Sequence, residues 1–357
     1  AIVTIPVVFH IVYSSTAQNI TDAQCIAQLN QLNLDFARLN TDRTNTPTAF
    51  STIAANTNIQ FCLAQRTPTG AASTGIERRS TTVASWSTND YVKYYSRGGL
   101  DAWPATSYLN LWVCNLSGGV LGYAQFPGGA AATDGVVLLY SSVGSMLSPA
   151  TATPYNLGRT ATHEVGHWLN LYHIWGDDGT ACTGSDNCSD TPNQAGENYG
   201  CPTYPKTDAC SAASPGVMFM NYMDYTDDGC MNMFTAGQSS RMNALFATGG
   251  ARVGLMSSLG CVAPSNCPAP TGVTVSNISG TGATISWTAA TGATSYTLQY
   301  CVSGTTTCTS TTTTGSSVVI SGLTGGTTYT YSLTSTCATG TSSTISGTFT
   351  TLATSCG

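Results

Sequence analysis

Charged side chains are scarce in this chain. They make up 8% of its 357 residues, against about 25% in ordinary soluble domains. Lysine and arginine together number 11, and Lys93 and Lys206 are the two lysines. With a formal net charge of −6, the chain lacks the basic surface that phosphate contacts require, which excludes nucleic acid as a partner. No apolar run approaches the roughly 20 residues that cross a bilayer, so no membrane span is expected. The 14 cysteines show no C-x-x-C pair, which argues against a structural zinc knuckle. No leader precedes the strand-like start, and a mature form that has lost a signal and a pro-segment is the expectation.

Cysteine is plentiful instead. An even count in a Ser/Thr/Gly-rich chain reads as disulfides and therefore as a secreted, extracellular protein. Connectivity is not readable from spacing. Cys301 and Cys308 are close enough in sequence to clip one hairpin.

Histidine is scarce and informative. There are four in the chain, and three of them fall in "HEVGHWLNLYH", residues 163–173. On a helix, His163 and His167 lie one turn apart on the same face, so both imidazoles can address one metal ion. Glu164 sits beside them, one position round the helix. Two zinc ligands with an adjacent carboxylate that activates water is the chemistry of H-E-x-x-H. His173 lies about 240° round and about 9 Å further along a straight helix. It reaches the same ion only if the chain leaves the helix and doubles back. Asn170 is the residue suited to that reversal, because asparagine tolerates the left-handed backbone second only to glycine. His10, inside an apolar run, reads as a core or edge histidine.

These residues resemble the metzincin zinc endopeptidases, whose pattern is H-E-x-x-H-x-x-G-x-x-H followed by a methionine turn. The glycine of that pattern is Asn170 here. "NYMDYTDDGCMNMF" (221–234) is similar to the methionine turn, with Met223 beneath the metal and Tyr225 near it. Together, "GRTATHEVGHWLNLYHIWGD", "SDTPNQ", "NYMDY" and "FTAGQ" resemble the pappalysin family and its ulilysin-like members, over roughly residues 1–262.

The resemblance implies a Zn2+ ion on His163, His167 and His173, with Glu164 as general base. It implies Tyr225 as a hydrogen-bond donor to the oxyanion, and protein or peptide substrates. It also implies a latent precursor, the pairing of Cys201 with Cys230, and the pairing of Cys210 with Cys182 or Cys188. Asp228, five residues beyond the turn methionine, matches a pocket-floor aspartate that favours Arg or Lys after the cleaved bond. A family Ca2+ site near "DTP" matches Asp190 and Thr191, within a loop that also offers Asp177, Asp178 and Asp186 as hard oxygens.

Along the chain, residues 2–13 read as a core strand. Residues 21–40 read as a helix capped by Thr21, with Gln24 completing a capping box and Cys25, Leu29, Leu32, Phe36 and Leu39 on its buried face. "LNLWVCNL" (109–116) and "GVVLLY" (135–140) read as strands, and "LGYAQFPGG" (121–129) as a border of the cleft. Residues after about 170 are loop-rich and need disulfide staples in place of a core. "APSNCPAPTG" is a Pro-punctuated linker.

Beyond the linker, short Thr/Ser-rich strands alternate with Gly turns. Trp287 is the expected core tryptophan, and Tyr329, six residues after Leu323, the expected tyrosine corner. This stretch, about 268–353, resembles a fibronectin type III domain.

The expected fold is therefore α+β: a two-subdomain metzincin-like protease domain over 1–263 (upper about 1–170, lower about 171–263), then a linker and small all-β sandwich over 264–357. A monomer is expected. The rival readings are an exopeptidase, and an inactive or adhesive matrix-binding protein whose sandwich carries the function.

Overall fold

The computed structural model describes residues 2–264, 266–338 and 340–353. The chain forms two compact units, Ala1–Ala263 and Pro264–Gly357.

The first unit is built on a twisted sheet. Its strands are β1 (Val3–Tyr13), β2 (Ile59–Leu63), β3 (Ile76–Ser80), β4 (Leu109–Cys114), β5 (Gly122–Ala124) and β6 (Val136–Leu139). They run in the order β2-β1-β4-β6-β5, and β3 pairs with the second half of β1. All pairings are parallel except β5 on β6, which is antiparallel. β1 is buried along almost its whole length, as expected of a parallel strand covered on both faces. His10 belongs to that core. Its ring bonds Glu77 on β3 and Asn110 on β4 and stacks on Trp112.

Four helices complete the unit: α1 (Asp22–Phe36), the single turn α2 (Thr48–Ser51), α3 (Arg159–Trp168) and α4 (Ala236–Asn243). Helix α1 buries Cys25, Leu29, Leu32 and Phe36, and full burial of a side chain such as Phe36 stabilises by roughly 1.5–3 kcal/mol. Thr21 accepts the Gln24 amide as a cap. The Gln24 side chain does not close the expected box, because it donates to the Val143 carbonyl instead. The helix also stops at Phe36, short of the expected residue 40. Arg38 turns left-handed at φ 52°, and Leu39, expected on the buried face, is 59% exposed.

From 171 to 235 the backbone is mostly loop. Disulfides Cys182–Cys210 and Cys201–Cys230 hold it, and Cys62–Cys261 ties β2 to the end of the unit. Disulfides do not consume every cysteine: Cys25, Cys114 and Cys188 are buried thiols. Burial pushes the Cys25 and Cys188 thiols up to about 12, which keeps them protonated and inert. Cys356 lies outside the described residues.

The second unit is a sandwich of β7 (Thr271–Ser276), β8 (Gly282–Thr288), β9 (Ala293–Val302), β10 (Cys308–Thr313), β11 (Ser317–Ser321), β12 (Thr328–Cys337), β13 (Gly340–Thr341) and β14 (Ile345–Thr350). One sheet runs β11-β8-β7. The other runs β10-β9-β12-β13, with β14 also on β12. Ile285, Trp287, Leu298, Leu333 and Phe349 fill the space between. The Tyr329 hydroxyl accepts the Thr324 amide at 2.9 Å, the corner bond of such sandwiches. Cys301–Cys308 clips the β9–β10 hairpin and Cys267–Cys337 anchors the start of the unit.

Candidate active site

Helix α3 lies buried along all its residues. It starts at a left-handed Gly158 and is capped from far away in sequence. One oxygen of the Asp228 carboxylate accepts the Leu157 amide at 2.7 Å and the Arg159 amide at 3.1 Å, supplying the negative charge a helix N-terminus favours. The helix ends at Trp168, and Asn170, two residues on, reverses the chain with a φ of 73°. The Asn170 amide bonds the His167 carbonyl and the Leu171 amide bonds the Gly166 carbonyl. Arg241 of α4 donates to the Asn170 carbonyl. The reversal brings His173 back beside the helix.

The three histidines then converge. The Nε2 of His167 lies 3.0 Å from that of His163 and 3.0 Å from that of His173. Each Nδ1 meets an acceptor at 2.7 Å: the Tyr222 carbonyl for His163, the Leu171 carbonyl for His167 and the Asp177 carboxylate for His173. Those acceptors demand the proton on Nδ1, so each Nε2 presents a lone pair, and that of His173 has the Tyr225 hydroxyl within reach. Three such lone pairs cannot hydrogen-bond one another. Burial, then the neighbouring imidazoles, hold His163 well below the usual histidine range and His167 at about 4. A cation fits this donor set and relieves the repulsion. Among the described residues this is the one such gathering of three or more His, Cys, Asp or Glu groups.

Glu164 faces the same space. Burial raises its carboxyl to about 8. The edge strand β5 crosses directly over it, and a side chain at Gly122 would sit 2.8 Å from the Glu164 Cγ and 3.0 Å from the Val137 carbonyl. On the opposite side, Met223 lies under the helix. A Cβ on Gly166 would meet its sulfur at 2.6 Å, so the glycine lets the methionine close in.

The turn bearing Met223 is fastened to α4, where Asn221 and Gln238 exchange amide bonds and Asn221 also accepts the Met223 amide. Tyr225 follows on that turn. Its hydroxyl is 3.0 Å from the His173 Nε2, and burial, with Glu164 and Asp177 nearby, pushes it up to about 12. Trp175 stacks on His173 with ring centroids 4.3 Å apart.

A cavity of about 380 Å³ opens beside Glu164, lined among others by Tyr155, His163, Tyr199, Tyr225 and Asp228. Asp228 is 2% exposed, and burial raises its carboxyl to about 6 against the two amides it accepts. Tyr155, Tyr199 and Arg159 are site residues that sequence reasoning missed. Arg159 is fully buried and pairs with Asp35 and Asp42. Only its place just before the histidine motif hinted at a role.

The acidic loop is arranged differently. Asp177 orients His173. Asp178 accepts the Thr183 hydroxyl and the Thr183 and Gly184 amides. Asp190 takes the Thr235 hydroxyl and the Gly237 amide at the start of α4. The Thr191 hydroxyl turns elsewhere, lying 2.7–2.9 Å from both Asp186 carboxylate oxygens and the Cys188 carbonyl. Asp190 and Thr191 thus engage separate partners.

Fold and site together define a metzincin metalloendopeptidase. The chain belongs to the pappalysin family. The family model described as pregnancy-associated plasma protein-A matches residues 96–247, and a fibronectin type III model matches 268–351. An extracellular metalloprotease of Arthroderma otae is 33% identical over 242 residues, covering 67% of this chain and 76% of that protein. Another, from Podospora anserina, is 42% identical over 147 residues, and the match spans 47% of its length and 39% of this chain. Mature mirolysin of Tannerella forsythia, solved with a cleaved peptide, superposes with a TM-score of 0.70 at 54% identity, covering 72% of this chain and 96% of that one. A promirolysin mutant from the same organism matches equally well, with a TM-score of 0.70.

Proposed function

We propose that this chain is a secreted zinc endopeptidase that cuts internal peptide bonds before Arg or Lys. The observation that carries the zinc reading is the convergence of three deprotonated Nε2 atoms with Glu164 alongside. When bound, zinc supplies a Lewis acid that acidifies water and polarises the scissile carbonyl. Glu164 accepts the proton of the attacking water and delivers it to the leaving amine. The Tyr225 hydroxyl donates to the developing oxyanion. An extended substrate adds to the free edge of β5, which among the described residues pairs only with β6. The glycine at 122 lets the substrate backbone approach Glu164 closely. Asp228 offers a carboxylate at the wall of the adjoining cavity, and a buried carboxylate recognises guanidinium or ammonium. A latent precursor is part of the proposal, since a pro-form is known among its structural neighbours.

Calcium forms a second part of it. A hydroxyl has one proton, yet Thr191 faces three acceptor oxygens. A hard cation among Asp186, Thr191 and the Cys188 carbonyl satisfies the remainder. Asp190 is committed to the Thr235 hydroxyl and the Gly237 amide at the start of α4.

Cleavage-site mapping on a mixed peptide library, with and without a zinc chelator, tests the proposal. Chelator-sensitive internal cuts before Arg or Lys are expected. Cuts before other residues remove the Asp228 assignment and keep the enzyme. Absence of any cut by zinc-loaded protein removes the proposed peptidase activity of this chain and moves the weight to an adhesive role for the sandwich. An exopeptidase releases only terminal residues in the same assay.

A further inference from the structure

Two aromatic rings beside the histidine cluster serve neither the cavity nor the core. Phe126 is 36% exposed and Tyr172 is 37% exposed. Their rings stack with centroids 5.2 Å apart and an interplanar angle of 25°. The Phe126 ring also lies 5.3 Å from that of His167. The Arg241 guanidinium covers the Tyr172 ring at 5.0 Å, while its Nε is committed to the Asn170 carbonyl.

The turn that carries Phe126 is braced. The Gln125 side chain bonds the Ala130 carbonyl and the Thr133 hydroxyl, so the ring is presented on a fixed support. A stacked, half-exposed aromatic pair at the rim of a cleft is an apolar surface awaiting contact.

The direction of the chain says what meets it. Residues Gly119 to Gly122 line the cavity that holds Asp228. Past β5 the same segment reaches Phe126 on the His167 side of the histidines. A peptide laid antiparallel on β5 therefore runs from the Phe126 end towards the Gly119 end. With the Asp228 cavity taking the residue after the cleaved bond, the residues before that bond lie along Phe126 and Tyr172. We infer that the Phe126–Tyr172 stack is a subsite for an aromatic or large apolar side chain among the two residues preceding the scissile bond. This rests on the substrate direction proposed above. Chemistry favours rings and branched aliphatics here, because the exposed faces of the stacked pair are carbon.

Two pairs of peptides test it, each with one Arg after the scissile bond. One pair differs as Phe against Gly at the first preceding position, the other pair at the second. In one of the pairs the zinc-loaded wild type is expected to favour Phe by roughly tenfold in kcat/KM, a typical discrimination for an apolar pocket. Phe126→Ala and Tyr172→Ala, verified for zinc content, are expected to bring that ratio close to one, whatever overall rate they retain. Should Phe126→Ala lose zinc, Phe126→Leu carries the same reading: a reduced ratio supports the subsite and an unchanged one overturns it. Equal rates for Phe and Gly peptides in the wild type at both positions, or a ratio that survives both alanine variants, overturn the subsite while leaving the peptidase intact. A zinc-loaded wild type that cleaves neither pair overturns the peptidase reading and the subsite with it.

Discussion

Two stretches of this chain look rich in metal ligands, and they lie next to each other: the histidines of 163–173 and the acidic residues of 177–191. Their polar groups end very differently. Each histidine has one nitrogen satisfied by the protein and the other left as a lone pair aimed at its neighbours. Asp190 is satisfied by the Thr235 hydroxyl and the Gly237 amide, whereas Asp178 has one oxygen bonded by Thr183 and Gly184 and the other buried without a partner. Around Thr191 and at the buried Asp178 Oδ1, acceptors outnumber protons. A metal site is marked by acceptors for which the fold supplies no proton, and the mere density of ligand-type residues does not reveal that.

Breaking the first region has the largest expected effect. Glu164→Gln keeps the shape of the site and removes its base, so kcat is expected to drop by about 10²–10⁴-fold, with zinc content unchanged by elemental analysis. Loss of zinc in this variant contradicts the role given to Glu164. Asp177→Asn leaves all three imidazoles but weakens the partner that orients His173, and zinc affinity is expected to fall about 10–100-fold in a chelator competition. An unchanged affinity places Asp177 back among ordinary loop carboxylates.

The cavity carboxylate titrates in an accessible range. Burial raises Asp228 to about 6, so it is ionised above that pH and neutral below it. The kcat/KM preference for an arginine peptide over its citrulline counterpart is expected to shrink roughly tenfold between pH 8 and pH 5. A flat ratio assigns the preference elsewhere. The sign for stability is opposite. A carboxyl raised in the fold contributes stability below its ordinary range, and that contribution is lost as pH rises through about 6.

The smallest effect belongs to the second region. Asp190→Ala removes the acceptor at the start of α4 and is expected to cost about 1–2 kcal/mol in urea denaturation, with zinc and kcat retained. If it abolishes zinc binding as well, the two regions are one site and the contrast between them fails.

Much of this was legible in the residues alone. The i, i+4 histidines, the asparagine where the chain turns back, the strand-like run with His10 and the Tyr329 corner each follow from local periodicity or backbone preference. What was not legible depends on partners distant in sequence. Nothing local ends α1 before Leu39 or sends Gln24 to Val143. The resemblance marks Asp228 as a pocket aspartate, but its bonds to the Leu157 and Arg159 amides, about seventy residues earlier, have no local signal. Tyr155 and Tyr199 carry no motif, and the stacking of Phe126, from the expected cleft border, on Tyr172, inside the histidine motif, has no local signal either. Their place at the site comes from loop paths.

By itself, the sequence determined the proposed ligand set, the proposed base beside it and the helical geometry that aligns two of the histidines, because these depend on spacings of a few residues along one chain direction. Tertiary structure alone decided which acceptors are left without protons, which carboxylates are spent on helix ends and which aromatic faces stay open. Those outcomes depend on desolvation and on the supply of hydrogen-bond partners, and both are set by segments that meet only when the chain has folded.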